Sequence, residues 1–185
     1  MPQKGEYGYL NARMKKQAGL SIFGLAIIIA TIVVGYLRYH TRANIFTIAA
    51  ALVAIPTAKV LVGFIICIKN KSPERAQYER LKETAKTPYI LSDLLLTSRE
   101  NMMPFEFAII SANNLCLYTT NKKMDKRKAE NYIRDYIKAE VKNINVKVVD
   151  DYNAIIKAAA RMVVKEKGNY DTEETIKNTL LILQY

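Results

Sequence analysis

The sequence predicts an α-helical transmembrane hairpin joined to a small cytosolic α/β domain, whose three-stranded mixed sheet is flanked by helices. Three observations predict it: two long apolar runs, a charged segment after them, and strand and helix patterns that alternate through the second half. The length of 185 residues suits one compact domain plus the hairpin. The predicted parts are an N-terminal cytosolic or interfacial segment (1–17), the hairpin (18–68), a helical linker (69–88) and the α/β domain (89–185).

The two apolar runs cover residues 19–37 and 43–68. The first holds no charged residue over 19 positions, or roughly 28 Å of helix, which matches a bilayer core of about 30 Å. The apolar core of a signal peptide is shorter, and a helix of a small globular protein would keep a polar face. Five residues join the runs, so the chain is predicted to cross a membrane and return at once.

The net charge of +11 is unevenly divided. Residues 1–71 hold nine Lys and Arg against one acid, whereas residues 72–185 hold 19 against 16. Most of the excess therefore flanks the hairpin, where basic residues set topology and meet anionic lipid. Both flanks outweigh Arg38 and Arg42 in the loop, which predicts a multi-pass protein of the inner (plasma) membrane with both termini cytoplasmic.

Pro56 and Lys59 are the candidate pore or gating residues of the second run. Proline removes a backbone donor and tends to kink a helix at the preceding turn, here near Leu52. Lys59 lies nine residues before Ile68, roughly 14 Å along the axis, and an intramembrane charge usually faces water or a partner. The alternative is a lysine that reaches the headgroups along a tilted helix.

The segments on either side of the hairpin carry weaker signals. Tyr7, Tyr9 and Leu10 fit either an interfacial amphipathic segment or a disordered terminus. After the second run, Ser72 followed by proline and glutamate predicts a helix with Ser72 as its N-cap. That helix is expected to end before Pro88.

The α/β domain is predicted from periodicity and caps. Residues 89–98 are expected to form a short helix, with a buried strand as the alternative. Residues 105–111 and 115–120 form a β-hairpin around an asparagine-rich turn. The remaining predicted elements are a helix from Asp125 to about Asn143, a strand over 144–149, a helix from Asp151 through Lys167 stopped by Gly168, and a last helix from Asp171.

Catalytic motifs are not found, and the predicted soluble part has no histidine. With His40 and two separate cysteines, Cys67 and Cys116, a histidine–cysteine zinc site is excluded. The chain is therefore predicted to be no enzyme and to carry no metal or cofactor. A membrane-anchored nuclease is the remaining catalytic hypothesis, and its candidate residues are Glu106, Lys147, Asp150 and Asp151.

The strongest binding signal is a run of five basic residues within 122–128, where a β-hairpin leads into a helix N-terminus. Cations are unfavourable at that end of a helix unless an anion is present, and the free N–H groups there favour phosphate. Two tyrosines are predicted to offer stacking faces nearby. The candidate anion-binding residues are Lys122, Lys123, Lys126, Arg127, Lys128, Tyr118 and Tyr132. The alternative is a solvated basic face.

A hairpin followed by a linker and an α/β domain resembles the two-span effectors of bacterial antiphage systems, in which a nucleotide or short DNA signal gates a membrane protein. The resemblance is one of architecture and assigns no residues. It implies a homo-oligomer in the lipid bilayer, since two spans cannot enclose a pore alone. The implied ligand is a nucleotide or single-stranded oligonucleotide made by a partner nucleotidyltransferase. The alternative function is a membrane-anchored interaction or adaptor domain with a passive hairpin tether.

Overall fold

The computed structural model describes residues 1–41, 44–87, 89–98, 101–162 and 170–185. Contacts divide the chain into a helical hairpin unit (10–71) and an α/β unit formed by residues 1–9 and 72–185. Four residues used in the predictions above lie outside the described residues. They are Arg42 of the loop between the apolar runs, and Pro88, Lys167 and Gly168 at predicted helix ends.

The hairpin unit consists of helices α1 (Tyr9–Tyr39) and α2 (Ile45–Lys69). Both are long and apolar enough to cross a membrane, and their most apolar 18-residue windows are only 11% and 17% buried. A core helix of a soluble protein would instead be mostly buried. Helix α2 follows the N-cap Asn44, whose side chain accepts a hydrogen bond from the Thr47 N–H, and it continues as an α-helix through Pro56.

Small residues form the contact between α1 and α2. A Cβ atom added at Gly24 would lie 2.5 Å from Thr57 Oγ1, and one added at Gly63 would collide with the Gln17 side chain. The Cys67 thiol donates a 3.4 Å hydrogen bond to Gln17 Oε1. The two glycine contacts fix the antiparallel register, in which the numbers of facing residues add up to 80 or 81.

The α/β unit contains helix α3 (Arg75–Thr84) and a mixed sheet of four strands in the order β1-β2-β3-β4. The strands are β1 (Ile90–Thr97), β2 (Met102–Ser111), β3 (Asn114–Tyr118) and β4 (Asn145–Val149). The three pairings are antiparallel, antiparallel and parallel in that order. Strands β1, β3 and β4 therefore run in the same direction and end at one edge of the sheet.

The sheet is covered on both faces by helices, which makes three layers. Helices α4 (Lys126–Ile137) and α6 (Tyr170–Leu183) pack against one face through Ile133 and Leu180. Helices α3 and α5 (Tyr152–Arg161) pack against the other through Leu81 and Ile155.

Both outer edges of the sheet are occupied. On β1, the Ser92 N–H donates to the Gly5 carbonyl (2.8 Å), and the Tyr185 N–H donates to the Leu95 carbonyl (2.9 Å). On β4, Glu130 Oε1 accepts from the Val148 N–H at 2.8 Å. Occupied edges do not invite pairing with another chain.

The expectation of a helix over residues 89–98, and hence of three strands, is wrong, because this segment is strand β1. Residues 91–96 are all buried, so the strand is covered on both faces and shows no alternation. A short run that is apolar on both sides cannot be separated from a buried helix by periodicity. The mixed α/β class and the remaining strands are confirmed.

The caps Asp125 and Asp151 are confirmed as N-caps of α4 and α5. Helix α4 ends at Ile137, earlier than predicted. Ser72 is not a cap, since α3 begins after Glu74 and the Ser72 hydroxyl lies 2.6 Å from Asp93 Oδ2.

The N-terminal residues are part of the α/β unit rather than a disordered terminus. Tyr7 stacks on Tyr78 with 4.8 Å between ring centroids, and its hydroxyl donates to the Pro73 carbonyl. Gly5 has a φ of +83°, and a Cβ there would meet Leu181 at 2.8 Å. The positive φ favours glycine at this position, and an added Cβ would also force the Leu181 side chain to move.

Candidate functional site

The main candidate site is a cavity of about 510 Å³ at the edge where β1, β3 and β4 end. Ligands of open α/β sheets bind at this kind of edge, outside the carboxyl ends of parallel strands. The cavity opens on the face that α4 covers. It is lined by Ser98, Asn101, Met102, Met103, Asn121, Lys123, Met124, Asp125, Lys128, Ala129 and Tyr132.

The segment between β3 and α4 is held in place by its own polar groups. Asn121 Oδ1 accepts a hydrogen bond from the Lys123 N–H, and Asp125 Oδ1 accepts one from the Lys128 N–H, both at 3.1 Å. The Tyr132 hydroxyl donates to the Thr97 carbonyl at the end of β1, 3.2 Å away. Lys123 therefore projects from a fixed turn and Lys128 from the first turn of α4, with Tyr132 as one wall of the cavity.

Three of the seven predicted anion-binding residues line this cavity, namely Lys123, Lys128 and Tyr132. Lys122 and Arg127 are exposed on the same segment but do not line it. Lys126 instead forms an ion pair with Asp150, with 2.8 Å between Nζ and Oδ2. This hydrogen bond and the lysine's charge hold the pKa of Asp150 below its ordinary value.

Tyr118 lies on the opposite face of the sheet from the cavity. It is only 5% exposed and packs against Phe107 and Tyr152, whose ring centroids lie 6.1 and 5.9 Å away. A ring enclosed in this way has no face left for a ligand base.

The protein itself supplies part of the negative charge that the basic run at 122–128 was predicted to bind. Asp125 caps the first turn of α4, and Asp150 neutralises Lys126. Asp125 thus binds a backbone N–H group, and Asp150 neutralises a lysine, that the sequence analysis assigned to a bound anion. Lys123 and Lys128 are the two exposed cations of the run that face the cavity.

Three of the four residues of the nuclease hypothesis, Glu106, Asp150 and Asp151, have a structural role. Asp151 caps α5, and Glu106 accepts hydrogen bonds from the Thr120 N–H and hydroxyl at 2.9 and 2.5 Å. Lys147 lies within β4 opposite Cys116, where burial raises the pKa of the thiol to about 11. Within the described part of the chain, no three His, Cys, Asp or Glu side chains are grouped closely enough to hold a metal ion.

The hairpin places both candidate gating residues outside the contact between its helices. Pro56 and Lys59 are exposed, whereas the face of α2 toward α1 carries Ala50, Thr57 and Cys67. Neither side chain is therefore needed to hold the two helices of one hairpin together.

Sequence reasoning missed the polar and methionine lining of the cavity. Ser98, Asn101 and Asn121 flank predicted strands and have a turn-forming character, but their meeting depends on β1 being a strand. No family model, characterised protein or solved structure matches the chain. The architectural resemblance to antiphage effectors therefore stays a prediction.

Proposed function

We propose that this protein is anchored in a membrane by its hairpin and that its α/β domain binds a phosphate-bearing ligand, a nucleotide or a short oligonucleotide. The observation that carries the proposal is the cavity at the carboxyl edge of the strands, which combines Lys123 and Lys128 with Tyr132. Lysines supply charge for phosphate, an aromatic ring supplies a stacking face, and the asparagine side chains offer donors and acceptors for a base.

Membrane insertion is supported by the surface of the hairpin. Large apolar side chains are exposed along both helices, for example Ile22 (69%) and Ile55 (72%). A soluble monomer rarely leaves contiguous apolar surface of this kind in water. In contact with the hydrocarbon of a membrane, exposing such a surface has no free-energy cost.

Native mass spectrometry of the detergent-solubilised full chain with ATP and with a tetranucleotide tests the ligand. We expect one of the two to be retained, and the double variant Lys123→Gln/Lys128→Gln to bind it at least about tenfold more weakly, since each charge-assisted hydrogen bond contributes about 1.5–3 kcal/mol. The matched control is Lys138→Gln/Lys157→Gln, which removes the same charge at exposed positions away from the cavity. Equal loss in both double variants would show nonspecific attraction and contradict the proposal.

A second candidate function is a homo-oligomeric pore whose hairpins are gated by that ligand. The observation that favours it is the exposure of Pro56 and Lys59, which leaves both available for contacts between subunits. Conductance recordings on reconstituted protein test it: the pore requires ligand-dependent current that changes with Lys59→Gln. A passive anchor gives no current in any variant.

A further inference from the structure

The hairpin carries cations but no carboxylate. Residues 10–71 contain eight Lys and Arg and not one Asp or Glu, whereas the rest of the chain contains 20 and 17. Charges placed in or near a low-dielectric medium require a counter-charge close by. For this hairpin the counter-charge has to come from outside the unit.

The register of the two helices gathers most of these cations at one end. Gln17 faces Gly63, and Gly24 faces Thr57. Lys15 and Lys16 on α1 are thereby brought to the same end as Lys69 and Lys71, and all four are exposed. We call this end, with the four lysines, the basic end of the hairpin.

The same register determines how deep Lys59 lies. Because facing numbers add up to 80 or 81, Lys59 is level with residues 21 and 22 on α1. The uncharged run of α1 begins at Gly19, only two or three residues away, which is about 3–5 Å along the axis. This distance is much shorter than the roughly 14 Å along α2 from Lys59 to Ile68. The four-carbon stem of a lysine side chain is long enough to span it.

Lys59 points away from α1 along an apolar stripe of α2. Leu52, Ile55 and Val62, at offsets of seven, four and three residues, are 66%, 72% and 54% exposed. Such offsets place side chains on one face of a helix. A cation within an exposed apolar stripe, close to the level where α1 becomes polar, matches a phospholipid. The lipid chains cover the part of the stripe toward Leu52, and the phosphate meets the ammonium group.

We propose that Lys59 and the basic end of the hairpin bind the headgroup of an anionic phospholipid. A second copy of the hairpin fits this place poorly, because it brings the same eight cations and no acid. Lipid phosphate supplies the missing negative charge within reach of Lys59. The lysine is then a lipid ligand rather than a gate, independently of what the α/β domain binds.

Native mass spectrometry of the full chain with added phosphatidylglycerol or phosphatidylcholine tests this inference. We expect the wild type to retain phosphatidylglycerol preferentially, Lys59→Gln to weaken that retention about fivefold, and Lys59→Arg to restore it, because one basic residue near anionic lipid contributes about 1 kcal/mol. Lys138→Gln, on the α/β unit, is the charge-matched control and should leave retention unchanged.

A check on the hairpin itself keeps the result interpretable. In a Gly24→Cys/Thr57→Cys/Cys67→Ser/Cys116→Ser background, the two new thiols face each other, because a Cβ at Gly24 would lie 3.1 Å from Thr57 Cβ. Their disulfide yield reports whether α1 and α2 still pack. Unchanged cross-linking with reduced phosphatidylglycerol retention in Lys59→Gln supports the inference. Unchanged retention overturns it, and a changed subunit number without lost lipid would assign Lys59 to a contact between copies instead.

Discussion

The hairpin and the α/β unit are packed by opposite means. The two helices of the hairpin approach each other where side chains are smallest, at Gly24 and Gly63. The α/β unit is held by its largest side chains, such as Phe107 and Phe105, which are 0% and 1% exposed. In lipid, helices associate through close backbone contact, whereas in water burial of apolar volume drives folding. The hairpin should therefore be sensitive to added volume and the α/β unit to removed volume.

The two units also differ in how their cations are balanced. In the α/β unit, Lys126 meets Asp150 at 2.8 Å, and basic and acidic residues are nearly equal in number. In the hairpin no acid is present in the sequence. The high net charge of the chain thus belongs mainly to the hairpin unit and says little about the α/β domain.

Removing volume from the α/β core should have the largest effect. Phe107 contacts Tyr78, Tyr118 and Tyr152, and Phe107→Ala is expected to lower the free energy of unfolding by about 3–5 kcal/mol. Urea unfolding followed by tyrosine fluorescence measures it. Tyr136→Ala, at an exposed position of α4, is the control and should cost less than about 0.5 kcal/mol. Similar losses in both would mean that the aromatic cluster is not the core of the unit.

Adding volume to the hairpin should have the next largest effect. Gly24→Leu forces side-chain atoms into Thr57 and is expected to destabilise the helix pair by about 1–3 kcal/mol. Its control is Gly19→Leu, because an added Cβ at Gly19 has no neighbour within 4 Å. Thermal unfolding of the detergent-solubilised chain, followed by the loss of helical circular dichroism, should shift to lower temperature only with Gly24→Leu. If both leucine variants unfold like the parent, the small residues do not set the distance between the helices.

The sequence predicts correctly those structural features that depend on residues close together in the chain. The long apolar runs and the caps at Asp125 and Asp151 are local signals, and the structure contains both apolar helices and both caps. Strand β1 was only the alternative to a helix in the sequence analysis, because burial on two faces removes its periodicity. The enclosure of Tyr118 and the pairing of Lys126 with Asp150 depend on which helix covers which face, and this is a property of the whole sheet.

A smaller effect concerns the half-buried carboxyl of Glu106. Burial raises its pKa, and the hydrogen bonds from Thr120 offset this only in part. As pH rises from the ordinary carboxyl pKa through this raised value, the unfolded chain loses its proton first, so the free energy of unfolding decreases. Glu106→Gln should flatten the pH profile over that interval, while Glu83→Gln, at an exposed position, should not. A profile that keeps its slope in Glu106→Gln would assign the pH dependence to another group.

The smallest effect should come from breaking the ion pair between Lys126 and Asp150, since both side chains are nearly half exposed and surface pairs contribute little to stability. In Lys126→Gln, the pKa of Asp150 should rise toward its ordinary value, which a carbon-13 NMR titration of its carboxyl measures.

Because Lys126 already has an anionic partner, the Lys126→Gln variant should bind the phosphate ligand nearly as well as the wild type, whereas Lys128→Gln should not. Equal weakening by both would mean that Lys126 leaves Asp150 to bind the ligand. The negative counter-charge of this lysine would then come from the bound phosphate and not from the protein.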